Sequence, residues 1–352
     1  SLTIEGNAVF GNDVNDTVTE VNELVVSGTS IINTANITTT GDQTYTGAVT
    51  LGANVVLTTN STVTFNASID GDGNSLTIEG NAVFGNDVND TVTEVNELVV
   101  SGTSIINTAN ITTTGDQTYT GAVTLGVDTT LTGSTVTFTN TVGNTSSRTL
   151  AITGNAVFGN TVGAGTALTS LSVSGTSTIN TTTITTTGAQ TYTGAVTLGA
   201  DTTFTADSGS LVRFGSTVTG DSSARSLTVT TANAQFDGVV SGNISTVNII
   251  GTSTINADIT TTGDQTYEGD VTLGIDITLT ATDGSDNLQT VIFSASIDGD
   301  GNSLTIEGNA VFGNDVNDTV TEVNELVVSG TSIINTANIT TTGDQTYTGA
   351  VT

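Results

Sequence analysis

Apolar and polar residues alternate along this chain with a period of two. Leu2 and Ile4 alternate with Thr3 and Glu5, and Val63, Phe65, Ala67 and Ile69 alternate with Thr62, Thr64, Asn66 and Ser68. Successive strand side chains point to opposite faces, so this pattern predicts strands with one face buried. By the same parity Tyr45, Gly47, Val49 and Leu51 are expected inward, with Thr44, Thr46, Ala48 and Thr50 outward. No window shows a helical period, and β-branched residues, which suit a pleated surface, dominate. Short runs such as Gly6-Asn7, Gly11-Asn12-Asp13, Gly41-Asp42 and Asp70-Gly71-Asp72-Gly73-Asn74 separate the strands and supply the turns.

Repetition organises these strands. The segment GDQTYTGAVTLG at 41–52 returns at Gly115, Gly188, Gly263 and Gly343, and Tyr45, Tyr119, Tyr192, Tyr267 and Tyr347 hold the same place in it. Residues 1–52 are identical to 75–126, and 303–352 repeat the text again. Super-repeats of roughly 75 residues therefore run over 1–74, 75–148, 149–225 and 226–302, with a partial one at 303–352. One continuous array is expected, and because it opens and closes inside a repeat, an interior fragment of a longer protein. The expected fold is all-β: a parallel right-handed β-solenoid with roughly four coils of about 19 residues, or three of about 25, in each super-repeat. The alternative is a string of β-sandwich repeats, for which the period is short of the usual ~100 residues.

Composition narrows the chemistry. With 34 acidic against three basic residues the formal charge is -31, which leaves no basic surface for phosphates. Nucleic-acid binding is not expected, and no apolar run is long enough for insertion into a membrane. The chain lacks Cys and His, so thiolate sites, imidazole ligands and the usual general base are missing. Carboxylates and hydroxyls alone remain, and no enzymatic activity is expected.

The GDQTYTGAVTLG, SLTIEGNAVFGN and LVVSGTSIIN segments resemble the β-strand repeats of large bacterial surface and secreted adhesins, similar to the filamentous haemagglutinin and autotransporter passenger class. The resemblance covers essentially the whole chain. It implies an extracellular or cell-surface location and a structural shaft, either a self-associating filament or an adhesin rod. Its partners would be other copies of itself, end to end or laterally, with cell-surface glycans met through regions outside this segment.

Several places invite a more specific reading. Asp70, Asp72 and Asn74, repeated as Asp298, Asp300 and Asn302, alternate oxygens as the first half of a calcium loop does. Ser75 and Asn81 then depart from that pattern, so an Asx/Gly turn stands beside the calcium reading. No other cofactor is implied. A second acidic run, Asp13, Asp16, Glu20 and Glu23, recurs at Asp87 and Asp315 and reads as a solvated loop. Threonine runs such as Ile111-Thr112-Thr113-Thr114 raise ice or glycan binding by the solenoid as the alternative function, although they occur once per super-repeat and not on every coil. The phenylalanines fall into two columns, Phe10, Phe84, Phe158, Phe236, Phe312 and Phe65, Phe138, Phe214, Phe293, with Phe204 outside both; no continuous aromatic stack is expected.

Overall fold

The computed structural model describes residues 1–285 and 287–352. The described residues contain no helix, and short strands pair in parallel, each on a strand about one turn further along the chain. Two compact units, Ser1–Gly175 and Thr176–Thr352, are each a β-solenoid. The expected fold class is therefore observed.

In the first unit one ladder rises through Leu2, Leu24, Gln43, Val63, Ala82, Ser104, Val123, Val142 and Val162. Successive partners are nearly evenly spaced in the chain, as stacked coils of one size require. In the second unit the ladder Thr183, Thr203, Thr228, Asn248, Thr266, Ile292, Val311 and Ile333 is less even. Its shortest turn runs from Asn248 to Thr266, and its two longest run from Thr203 to Thr228 and from Thr266 to Ile292. Those longest turns carry the corner loops around Asp207 and Asp283. Extra residues are accommodated at corners because only the strands must stay in register.

Each turn has three strand segments, one per face. Following the chain from Gln43–Tyr45 to its copy Gln117–Tyr119, with the long strands Val55–Phe65 and Leu76–Phe84 each counted as two because they bend from one face to the next, passes eleven segments. Eleven is three turns plus two faces, so neither four nor three coils fit one super-repeat. The consequence is a rotation: Gln43–Tyr45 lies in the ladder of Leu2–Ile4 and Leu24–Val26, whereas Gln117–Tyr119 lies in that of Leu98–Val100 and Leu76–Ile78. In the second unit Gln190–Tyr192, Gln265–Tyr267 and Gln345–Tyr347 occupy three different ladders. Each super-repeat turns the motif onto another face.

Inward positions form the core. Tyr45, Val49 and Leu51 are buried as their parity predicts, while Gly47 occupies a corner. Leu76 and Ile78, the copies of Leu2 and Ile4, are fully buried between Val55–Phe65 and Leu98–Val100. A coil buries its apolar face only against its neighbours, so stability accumulates along the stack.

Candidate functional site

The inward residues of the most constant text, Gln43, Tyr45, Val49 and Leu51, lie inside the solenoid. Gln43 is fully buried, and its side-chain Nε2 donates to the Ile37 carbonyl at 3.3 Å and to the Thr58 carbonyl at 3.0 Å. Its Oε1 accepts the Tyr45 hydroxyl at 3.1 Å. Gln117 repeats this with Ile111, Thr132 and Tyr119, and Gln265 with Ile259, Thr280 and Tyr267. One glutamine thus ties its own turn to the next, and every polar atom of the pair is satisfied, as a buried polar group requires. Burial pushes the hydroxyls of Tyr45, Tyr119, Tyr192 and Tyr267 well above the usual phenol range, so they stay neutral. The pair is a clip and not a reactive site. Glutamine two residues before every tyrosine is the signal for it in the sequence.

The aromatic rings form short, separate stacks and no continuous one among the described residues. The two phenylalanine columns and the tyrosines converge, because Phe65 lies directly above Tyr45 in register and Phe84 above Phe65. Tyr45, Phe65 and Phe84 stack at 5.4 and 6.0 Å, with interplanar angles of 13° and 8°. Equivalent three-ring stacks join Tyr119, Phe138 and Phe158, Tyr192, Phe214 and Phe236, and Tyr267, Phe293 and Phe312. Phe204 meets the third set edge-on, against Tyr192 and Phe214. Such offset contacts add about 0.5–1.5 kcal/mol each beyond burial.

Asp70, Asp72 and Asn74 share one corner. Asp70 Oδ1 accepts the Asp72 amide at 3.0 Å, and Asn74 Nδ2 donates to the Leu51 and Gly71 carbonyls at 2.9 and 3.1 Å. Asp298 and Asn302 repeat this, toward the Asp300 amide and the Leu273 carbonyl, both at 3.0 Å. Asp72 and Gly73 adopt left-handed φ values of 46° and 79°, which close the turn. Asp70 and Asp298 thus each give one oxygen to the backbone of the turn, and among the described residues no group of three or more His, Cys, Asp or Glu side chains is placed to hold a metal ion. Chelation with EDTA is expected to leave the thermal midpoint unchanged. A midpoint that drops on chelation and recovers with calcium would restore an ion to these corners.

The second acidic run also builds a loop. Asp16 Oδ2 accepts the Asn12 and Asp13 amides at 2.9 and 3.2 Å, and Asp90 and Asp318 do the same in their copies. The Asn15 amide holds the exposed Asp13 carboxyl below the usual carboxylate range. Glu20, Glu94 and Glu322 take φ near 61°, 55° and 54° where the ladder register shifts, so they mark β-bulges.

Many other acids and amides join consecutive turns. Asp42, Asp116, Asp128, Asp201 and Asp276 each accept a backbone N–H from the next turn, of Thr62, Thr135, Thr149, Ser226 and Ser303. In the second unit an open cleft of about 490 Å³ is lined by Thr231, Asn233, Ile250 and Asp270 among others. Its polar atoms do similar work: Asn233 Oδ1 accepts the Thr252 amide and Asp270 Oδ1 the Ser296 amide.

One inward hydroxyl recurs without a partner. The hydroxyls of Ser30, Ser104, Ser177, Ser253 and Ser332 are buried without a hydrogen bond, at the same place in every super-repeat. An unsatisfied buried hydroxyl costs about 1–3 kcal/mol. Ser104→Ala is therefore expected to stabilise the protein by about 1 kcal/mol in chemical denaturation; destabilisation would show that the hydroxyl has a partner in solution.

Comparison with known protein families, with curated proteins and with solved structures finds no match to this chain.

Proposed function

We propose that this chain is the shaft of an extracellular, fibrous bacterial surface protein, a self-associating filament or the rod of an adhesin, with no catalytic role. The observation that carries this reading is that the inward residues of the constant motif, Gln43, Tyr45, Val49 and Leu51, are core, and that the motif moves to a new face with each super-repeat. Constancy between copies then reflects what stacking requires. A binding protein would instead hold its constant residues outward and on one face.

That same rotation weighs against ice binding. A templating face needs outward threonines in an unbroken ladder, whereas Thr44 lies under Thr64 but the next two positions of that ladder are Val83 and Ile105. Antibodies raised against the GDQTYTGAVTLG repeat test the location. They should decorate intact source cells or filaments in electron microscopy, and labelling only after permeabilisation would overturn the proposal.

Self-association, end to end or lateral, is part of this reading, and charge controls it. At -31 the molecules repel one another near neutral pH. Titration toward the sequence pI of about 4.1 removes that repulsion. Several carboxyls are held low, Asp128 by the Thr149 amide and Asp283 mainly by Asn287. A depressed carboxyl contributes stability that is present at neutral pH and is lost only as pH falls through its lowered folded value. A window below about pH 5 is therefore expected in which the solenoid persists while repulsion has faded. Sedimentation should show larger species there than at neutral pH; a monomer at both would count against lateral association.

A further inference from the structure

The chain has three arginines, and the structure treats one of them differently. Arg213 Nε meets Asp237 Oδ2 at 2.6 Å. Arg225 forks onto Asp221, with Nε 2.9 Å from Oδ1 and Nη2 2.8 Å from Oδ2. Asp201, which accepts the Ser226 amide one turn below, adds a second favourable charge beside Arg225. Arg148 has the corresponding corner in the first unit. Asp128 accepts the Thr149 amide at 3.0 Å, as Asp201 accepts that of Ser226, and lies within electrostatic reach of Arg148.

The second carboxylate is missing. The residue four before Arg148, where Asp221 stands before Arg225, is Asn144. It ends the strand Val142–Asn144 and turns inward, giving Nδ2 to the Thr166 carbonyl at 2.7 Å. Between them lie Thr145, Ser146 and Ser147, exposed and uncharged, and the next turn over residues 159–170 contains no acid. Arg148 Nε is buried without an acceptor, and Asn144 Oδ1 is buried without a donor. A guanidinium presents a planar fork that matches a carboxylate, and its donors are costly to leave unmade when removed from water.

We propose that Arg148 is a carboxylate receptor, filled from outside the chain by the group that Asp221 supplies to Arg225 from within. The carboxylate is either free, as in acetate or an acidic small molecule, or an Asp or Glu of a second copy of this chain. The recognition chemistry is the same, and it does not depend on the shaft reading.

Because there are only three arginines, their Nε–Hε cross-peaks in a nitrogen–proton NMR spectrum report each site separately. In dilute protein, acetate titrated against chloride at matched ionic strength should shift the Arg148 peak saturably while those of Arg213 and Arg225 stay in place. If a second copy is the source, the Arg148 peak should instead move with protein concentration, and Arg148→Gln should sediment more slowly than wild type at high concentration. Asp221→Asn, a change at a partly exposed corner, should release Arg225 and make its peak acetate-responsive. An Arg148 peak that responds to neither acetate nor protein concentration would overturn the proposal, as would equal movement of all three peaks.

Discussion

Phe138→Ala is expected to cost about 3–5 kcal/mol, the range for removing a fully buried aromatic ring and leaving a cavity behind. Phe138 is the middle ring of its stack, 5.5 Å from Tyr119 and 5.8 Å from Phe158, so both ring contacts go with it. The damage should also spread in a particular way. Each turn contacts only its neighbours, so loss of one rung lowers the protection of the turns above and below before that of distant ones. Hydrogen exchange should show Gln117–Tyr119 and Thr149–Phe158 opening first, with strands such as Leu24–Val26 little affected. Thr118→Ala, on the outward side of the neighbouring strand Gln117–Tyr119, is the control and should change stability by less than about 0.5 kcal/mol. Comparable losses at both positions would contradict the inward assignment.

Gly121→Ala is expected to be nearly as damaging, for the opposite reason. A Cβ at this corner would stand 2.3 Å from the Gly102 carbonyl oxygen and 2.4 Å from its carbon. Both are backbone atoms held by the ladder, so neither can swing aside, and the turns must separate locally. Overpacking of this kind costs about 1–3 kcal/mol. Gly73→Ala is the contrast, since a Cβ there meets nothing within 4 Å and the expected loss comes only from its φ of 79°. Urea denaturation of the two variants separates crowding from backbone strain, and equal midpoints would refute the crowding argument.

These residues also show what the sequence could disclose. Period-two alternation and the repeated text make the strands, the solenoid and the inward set of Tyr45, Val49 and Leu51 legible. The number of turns per super-repeat is not, because strand signals do not say how many residues a corner absorbs. Bulges at Glu20 and its copies, and long strands that bend across a corner such as Val55–Phe65, hide the true turn. With the turn unknown, Phe65 and Phe84 read as members of separate columns, although they are register partners a single coil apart. Gln43 has inward parity, yet an uncharged amide is usually placed outside, and only its bonds to Ile37, Thr58 and Tyr45 explain its burial. At Asp70 the residue types serve a turn or an ion equally well. The structure adds that Asp70 Oδ1 accepts the Asp72 amide.

The eleven-segment super-repeat has a bearing on how such a chain can grow or shrink. Exchange between identical copies, for example one that joins Gly52 directly to Val127, rejoins matching text and leaves each local contact unchanged. The turns beyond the junction are nevertheless displaced by about 18 Å along the axis, from eleven-thirds of a ~4.8 Å rung, and swung by two faces. Gain or loss of three copies restores the original heading. Copy number then changes two things within a stack: its length with every copy, and the face on which the motif returns, which recurs in threes.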